Sequence, residues 1–313
     1  MSWLYKSLGD RLFAAFVTLL ALAVVLAAGL IFLVLYTGGR EALAKFGLIG
    51  FALGREWDAV RGNFGALPPL LGTLITSAAA LFLAFFPALA AAVFAVEYLG
   101  GRLKEIVAYL VDLLAALPSV VYGLWGIFVL VPLVRDKVEL PLFTWAAAHA
   151  PWLLPWLGPP TGIGLLSATL VLALMIVPYA SALARDALEL VPRAQREAMY
   201  ALGATRWEVV RLVVIPYARA GIFSGVVLAL ARALGETMAV TMLIGNSVKL
   251  PYTLFGPAAT MASLIANEFA EAEDDLHLSA LVAVGFLLFL IAVVVNLAAA
   301  FVLRRMTRME AGR

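Results

Sequence analysis

Arg232 and Glu236 are the residues of this chain whose type and spacing are best suited to chemistry. Both lie near the middle of an apolar stretch that we predict to be one helix over residues 217–245. If that helix crosses a membrane, a central arginine costs roughly 2.5–3.5 kcal/mol on insertion scales, and such residues usually face a protein interior or a watery path. Residues four apart share a helix face, so the two side chains can pair.

An arginine in this position is a natural partner for an oxyanion, because its planar fork matches phosphate-type oxygens. We therefore predict that Arg232 and Glu236 line the path of an anionic substrate. A structural ion pair between helices is the alternative. The same stretch carries small residues four apart, at Gly221, Gly225 and Ala229, which predicts close helix contacts either at the centre of a complex or within one chain.

A second polar region, residues 193–216, lies between two very apolar segments. Thr205 and Glu208 have the T-x-x-E spacing of a capping box, and Gly203 suits the positive φ found just past a helix end. The region is therefore predicted to form a helix, a tight turn and a second helix, with Pro216 marking its end or a kink. This shape suits docking in a cleft of another protein. An ordinary loop held at lipid headgroups by arginines is the alternative.

The composition of the chain indicates an all-α integral membrane protein. Its 313 residues are 64% hydrophobic and 13% charged, whereas soluble domains are about 45–50% apolar and about 25% charged. The absence of cysteine excludes disulfides and thiolate metal sites. His149 and His277 lie far apart, and the spans carry no constellation of catalytic or metal-ligating residues. We expect no bound metal, no cofactor and no enzyme active site.

Six stretches reach the length of about 20 apolar residues that a spanning helix needs. They cover residues 12–36, 70–96, 106–134, 162–184, 217–245 and 278–303. Residues 140–157 are predicted to be too broken by prolines to span, and their tryptophans suit the membrane interface. Residues 250–266 are predicted to be re-entrant or interfacial. The chain then divides into a first span with an outer segment (1–66), a transmembrane core (67–305) and a tail (306–313).

The distribution of basic residues predicts the orientation. With both termini inside, the inner side holds clearly more lysines and arginines than the outer side, from Lys6 through the 193–216 region to the tail. The outer loops instead collect acids between Glu268 and Asp275. The positive-inside rule therefore places both termini, the tail and the 193–216 region in the cytoplasm.

Two motifs carry a family resemblance. Glu197-Ala198, Gly203 and Ile215-Pro216 follow the spacing of the EAA loop of ABC-importer permeases. The stretch 232–246, R-A-L-G-E-T-M-A-V-T-M-L-I-G-N, more specifically resembles phosphate ABC transporter permeases of the PstC type. Segments 117–126 and 254–268 resemble the same family, and the resemblance runs from about residue 68 to residue 305.

The resemblance implies a type I (MetI-like) importer permease with six spans. It assigns ATPase docking to the EAA-type loop and its residues Arg193, Glu197, Ala198, Gly203, Thr205, Glu208 and Pro216. The implied partners are a second permease of the PstA type, two copies of a PstB-type ATP-binding subunit, a PstS-type phosphate-binding protein, inorganic phosphate and membrane lipid, with no nucleic acid. ATP would be used by the partner, since the chain has no Walker motif. The location would be the cytoplasmic membrane of a bacterium or archaeon.

Two alternative functions remain open at this point. A permease of the same architecture could carry another oxyanion such as sulfate or molybdate, although the 232–246 stretch argues against it. A channel or secondary transporter would need no ATPase, and would leave the EAA-type loop without a purpose.

Overall fold

The apolar stretches form long helices in the computed structural model, which describes residues 8–311. Within that range, six helices are long and apolar enough to cross a membrane. They are Gly9–Gly38, Leu67–Tyr98, Ser119–His149, Leu165–Glu189, Arg206–Leu234 and Asp275–Met306. Each overlaps one predicted span, so the predicted six-span, all-helical architecture is confirmed. Lys6 lies outside the described range.

The first part of the chain contains the first two spans. Its elements are α1 (Leu8–Gly38), α2 (Arg40–Phe46), α3 (Leu48–Leu53), β1 (Trp57–Asp58), β2 (Asn63–Phe64), α4 (Leu67–Val93) with a π-helical end at Phe94–Tyr98, and α5 (Gly101–Ala116). The two short strands form an antiparallel hairpin, which the sequence reading did not anticipate. This hairpin packs its Trp57 and Phe64 against Met261, Leu264 and Leu281 of later elements.

The third span differs from its prediction at both ends. Residues 106–116 belong to the separate helix α5, because Leu117 and Pro118 are extended. The long helix then runs as α6 (Ser119–Trp125), α7 (Val131–Val134) and α8 (Leu140–His149), joined by π-helical segments. The prediction that residues 140–157 are too proline-broken to join a spanning helix is therefore wrong for residues 140–149.

The π-helical segments explain how three of the prolines fit in these helices. Pro132, Pro141 and Pro216 each follow such a segment by two residues. The segments are Gly126–Leu130, Arg135–Glu139 and Val210–Val214. Proline has no N–H and its ring clashes with the carbonyl of the preceding turn. A π-bulge widens that turn, so the helix continues through the proline instead of ending there.

The second half of the chain holds the remaining spans. Its elements are a 3₁₀ turn (Pro151–Leu153), α9 (Leu154–Leu157), α10 (Leu165–Glu189), α11 (Arg193–Ala201), α12 (Arg206–Val209), α13 (Ile215–Leu234), α14 (Met238–Leu243), α15 (Met261–Glu268) and α16 (Asp275–Ala311). Residues 250–260 are irregular and α15 is short, so residues 250–266 form no spanning helix, as predicted. The predicted tail 306–313 begins inside α16, and its last two residues lie outside the described range.

The centre of the core is α10, in whose apolar membrane segment 67% of the residues are buried, whereas no residue of the corresponding segment of α1 is buried. Helix α4 turns its alanines Ala80, Ala84, Ala88 and Ala92 into the interior, all of them buried. Small residues at this spacing let two helix backbones approach closely. Helices α4, α10 and α13 therefore pack closely against one another. They position the two polar regions of the chain, which are residues 193–216 and the segment around Arg232 and Glu236.

Candidate functional site

The region between α10 and α13 folds as predicted. Helix α11 ends near Ala201, Gly203 has a φ of +85°, and Thr205 begins α12. Glu208 Oε2 accepts a hydrogen bond from the backbone N–H of Thr205 at 2.7 Å, and the Thr205 hydroxyl oxygen accepts from the backbone N–H of Glu208 at 3.4 Å, which together form the capping box. Local hydrogen bonds thus set the turn. We call residues 190–209 the α11–α12 loop.

The predicted docking residues lie on the surface of this loop. Arg193, Glu197 and Ala198 are exposed on α11, and Gly203, Thr205, Glu208 and Pro216 are exposed beyond it. Large apolar side chains are exposed beside them: Leu190, Tyr200, Leu202 and Trp207, with Leu202 at 83%. The prediction that Pro216 could mark the end of a helix is wrong, since the helix Arg206–Leu234 continues through it. The loop is thus an exposed, partly apolar knob.

Arg196 anchors the loop to the body of the protein. Its Nη2 donates to Glu97 Oε1 at 2.9 Å and to the Leu188 carbonyl at 2.9 Å, and its Nη1 donates to the Val191 carbonyl. The Arg196 and Glu97 side chains are only 16% and 7% exposed. A buried charge needs such pairing, and removing one partner is strongly destabilising. Glu97 therefore joins the end of α4 to α11.

Arg232 is a charged residue inside the fifth membrane-spanning helix. Its guanidinium carbon lies 5.4 Å from the centre of the Tyr179 ring, which is cation–π distance. Its Nε is buried and has no hydrogen-bond partner among the residues described. It sits in the last turn of α13, where the unsatisfied carbonyls favour a cation. Arg232 is thus stabilised by a ring and a helix end.

The predicted pairing of Arg232 with Glu236 is not found. The predicted helix over 217–245 ends at Leu234, and α14 starts at Met238 after a break at Gly235. Glu236 therefore does not share a helix face with Arg232, and the two form no ion pair within residues 8–311. Glu236 Oε1 instead accepts from the backbone N–H of Ala239, at 3.2 Å. The carboxylate is used to hold the start of α14.

The small-residue stripe of α13 packs within the chain. A Cβ atom added at Gly221 would lie 2.6 Å from the Ala187 Cβ, and one added at Gly225 would lie 3.0 Å from the Leu183 Cβ. Both neighbours belong to α10. Of the two readings of this stripe, the structure supports contact inside one subunit.

Sequence reasoning missed Tyr179 as the neighbour of Arg232 and Glu97 as the partner of Arg196. Each lies far along the chain from its partner, so no local spacing connects them. The sequence could have pointed to these contacts only by the residue types themselves, a tyrosine inside α10 and a glutamate at the end of α4. The described residues contain no cluster suited to a metal ion.

Comparison with known proteins identifies the family. A family profile described as "Binding-protein-dependent transport system inner membrane component" matches residues 87–308. The chain belongs to this family. It is therefore a membrane-spanning component of a transport system that works with a binding protein, and not an enzyme.

Curated relatives of this permease cover nearly the whole chain. It is 42% identical over 300 residues to the "Phosphate transport system permease protein PstC" of Mesorhizobium japonicum, which covers 96% of this chain and 91% of the relative. The protein of that name from Haemophilus influenzae is 42% identical, with 95% and 94% covered. The "Probable phosphate transport system permease protein PstC" of Methanocaldococcus jannaschii is 37% identical, with 84% of each chain covered.

Solved structures agree with the fold of this permease. A chain of the inward-facing MetNI methionine ABC transporter matches with a TM-score of 0.57 at 20% identity, and covers 76% of this chain and 94% of its own. A chain of a bacterial alginate ABC transporter matches with a TM-score of 0.60 at 16% identity, with 96% and 99% covered. The predicted MetI-like fold of ABC-importer permeases is confirmed.

Proposed function

We propose that this permease takes up inorganic phosphate as the transmembrane subunit of an ATP-binding-cassette importer. The observation that carries the proposal is the 42% identity over 96% of the chain to a phosphate transport permease. Arg232 supplies a matching chemistry, because it is a cation in the interior whose hydrogen-bond donors are not taken by a carboxylate.

The proposed path runs past Arg232, at the break between α13 and α14. A guanidinium presents five N–H donors in a plane and can bind two oxygens of one oxyanion. Glu236 lies four residues on, and would disfavour anions that arrive with too much negative charge. Both residues would line this path, although they do not pair with each other.

The α11–α12 loop is the proposed docking site for the ATPase. Its exposed apolar side chains are flanked by Arg193 and Glu197. A cleft of the ATPase could bind the loop by burying Tyr200 and Leu202, with polar contacts around them. The pairing of Arg196 with Glu97 would transmit movement of the loop to α4 and α10. The chain would use no cofactor of its own, because ATP is bound by that partner.

The full assembly would contain a second permease of the PstA type, two ATP-binding subunits of the PstB type and a phosphate-binding protein of the PstS type. Both termini and the loop would face the cytoplasm of a bacterium or archaeon, in line with the positive-inside rule. The opposite face would receive phosphate from the binding protein.

The test is uptake of labelled phosphate into vesicles that hold this permease, the second permease and the ATP-binding subunits, with the loaded binding protein outside. We expect uptake that requires ATP and that excess sulfate does not suppress. Uptake without ATP would overturn the ATP-driven mechanism. Stimulation of ATP hydrolysis only by the binding protein of another oxyanion would overturn the substrate.

A further inference from the structure

Arg232 has to be held in place without a carboxylate. Its neighbour Glu236 is engaged with the start of α14 through Ala239, as described above. Tyr122 packs against the central hydrophobic core, as Tyr179 does. Its hydroxyl donates to the Leu114 carbonyl at 2.8 Å and so is not directed at Arg232. Tyr179 is the aromatic ring over which the guanidinium lies. The position of Arg232 therefore depends on this ring and on the end of α13.

A ring holds a guanidinium in a different way from a carboxylate. A carboxylate binds the N–H groups in the guanidinium plane and neutralises the charge. An aromatic face attracts the cation through its ring electrons and adds no carboxylate oxygen, so N–H donors stay available and the positive charge is kept. An arginine held in this way is prepared to bind an oxyanion that must also be released.

The helix that carries the Tyr179 ring is firmly packed. Tyr179 belongs to α10, the most buried of the spans, and its neighbours Pro178 and Ala180 are both buried. The ring thus moves little relative to the core, and the guanidinium over it is kept at a defined place at the break after Leu234.

We propose that Tyr179 is a positioning residue for the transported anion: its ring face keeps Arg232 charged, unpaired and directed at the substrate path. This inference rests on the proposed role of Arg232 in oxyanion transport. It gives α10 a part in the anion site. Arg232 and Glu236 lie on α13 and just after it, so they alone would leave α10 without such a part.

The test replaces Tyr179 in the complete complex and measures the rate of ATP-driven phosphate uptake. Tyr179→Phe keeps the ring and should stay within about twofold of the wild type, whereas Tyr179→Leu removes it and should lower the rate about tenfold. Phenylalanines with one, two and three ring fluorines at position 179 have nearly the same shape but a progressively weaker negative face. Uptake should fall stepwise along this series, with basal ATP hydrolysis unchanged.

A Tyr179→Leu variant that transports normally, or a fluorine series without a trend, would overturn the proposal. A loss in Tyr179→Phe as large as in Tyr179→Leu would overturn it too, because the hydroxyl would then be the active group. If Tyr179→Leu does not fold, the fluorine series decides alone.

A double-variant cycle separates this inference from the proposed function. In an Arg232→Met background, where no cation is left for the ring to hold, Tyr179→Leu should add less than about a twofold loss, because residues that act through one contact are not additive. Independent, multiplying losses would refute the contact. If Arg232→Met by itself transports at the normal rate, the proposed role of Arg232 fails, whereas a damaging Arg232→Met with a harmless Tyr179→Leu refutes Tyr179 alone.

Discussion

Arg196 and Arg232 are two arginines of one apolar chain, and the protein holds them in opposite ways. Arg196 donates to a carboxylate and to two backbone carbonyls, which satisfy its charge and its N–H groups. Arg232 has a ring face and a helix end, and its buried Nε has no partner among the described residues. The first arrangement fixes a loop to the frame, and the second leaves a charge prepared for a substrate.

The difference predicts that the two sites respond differently to mutation. A fully paired arginine contributes to structure, so loss of its partner should be seen in stability. An arginine without a carboxylate contributes little to stability, so its loss should be seen in transport. The following predictions test this division, from the largest expected effect to the smallest.

Glu97→Gln should have the largest effect on stability, because it leaves Arg196 as a buried charge without its counter-ion. Removal of one partner of a buried pair costs about 3–5 kcal/mol. The free energy of unfolding of the purified chain measures this loss. The double variant Glu97→Gln/Arg196→Gln is the control and should be more stable than Glu97→Gln, because no buried charge remains. If Glu97→Gln were as stable as the wild type, the ion pair of Arg196 would not be structural, and the proposed difference from Arg232 would be wrong.

Arg232→Met should lower phosphate uptake more than about tenfold, which corresponds to the loss of one charged hydrogen-bonding group of about 1.5–3 kcal/mol. The free energy of unfolding should be nearly unchanged, since burial of a methionine replaces burial of an unpaired cation. Uptake in vesicles and unfolding of the same preparation give the two values. A clear loss of stability with intact uptake would make Arg232 a structural residue like Arg196.

Thr205→Ala should have the smallest effect, at about 1 kcal/mol of stability, because it removes one helix cap on an exposed turn. Thr205→Ser keeps the hydroxyl and should be close to the wild type. The free energy of unfolding measures both variants. If Thr205→Ala proved as damaging as Glu97→Gln, then the local cap would hold the loop, and the long-range ion pair would be secondary.

Local signals allowed much of the loop to be predicted. The capping box joins Thr205 and Glu208 across a single turn, and the positive φ of Gly203 is a property of the backbone at that residue. Spans were likewise predictable from apolar length alone. The predictions that failed depend on the path of the backbone: residues 106–116 form a separate helix, residues 140–149 stay helical because a π-bulge accommodates Pro141, and the fifth span ends at Leu234 before the apolar stretch does.

The amino-acid sequence by itself determined that the chain lies in a membrane, that six helices cross it and how the α11–α12 loop turns, because these depend on apolar length and on hydrogen bonds between near neighbours. Only the tertiary structure decided that Glu97 pairs with Arg196 and that Tyr179 lies against Arg232. Packing of α4, α10 and α13 brings these distant residues together. It also parts Arg232 from Glu236, since the break at Gly235 ends the helix on which both were expected to lie.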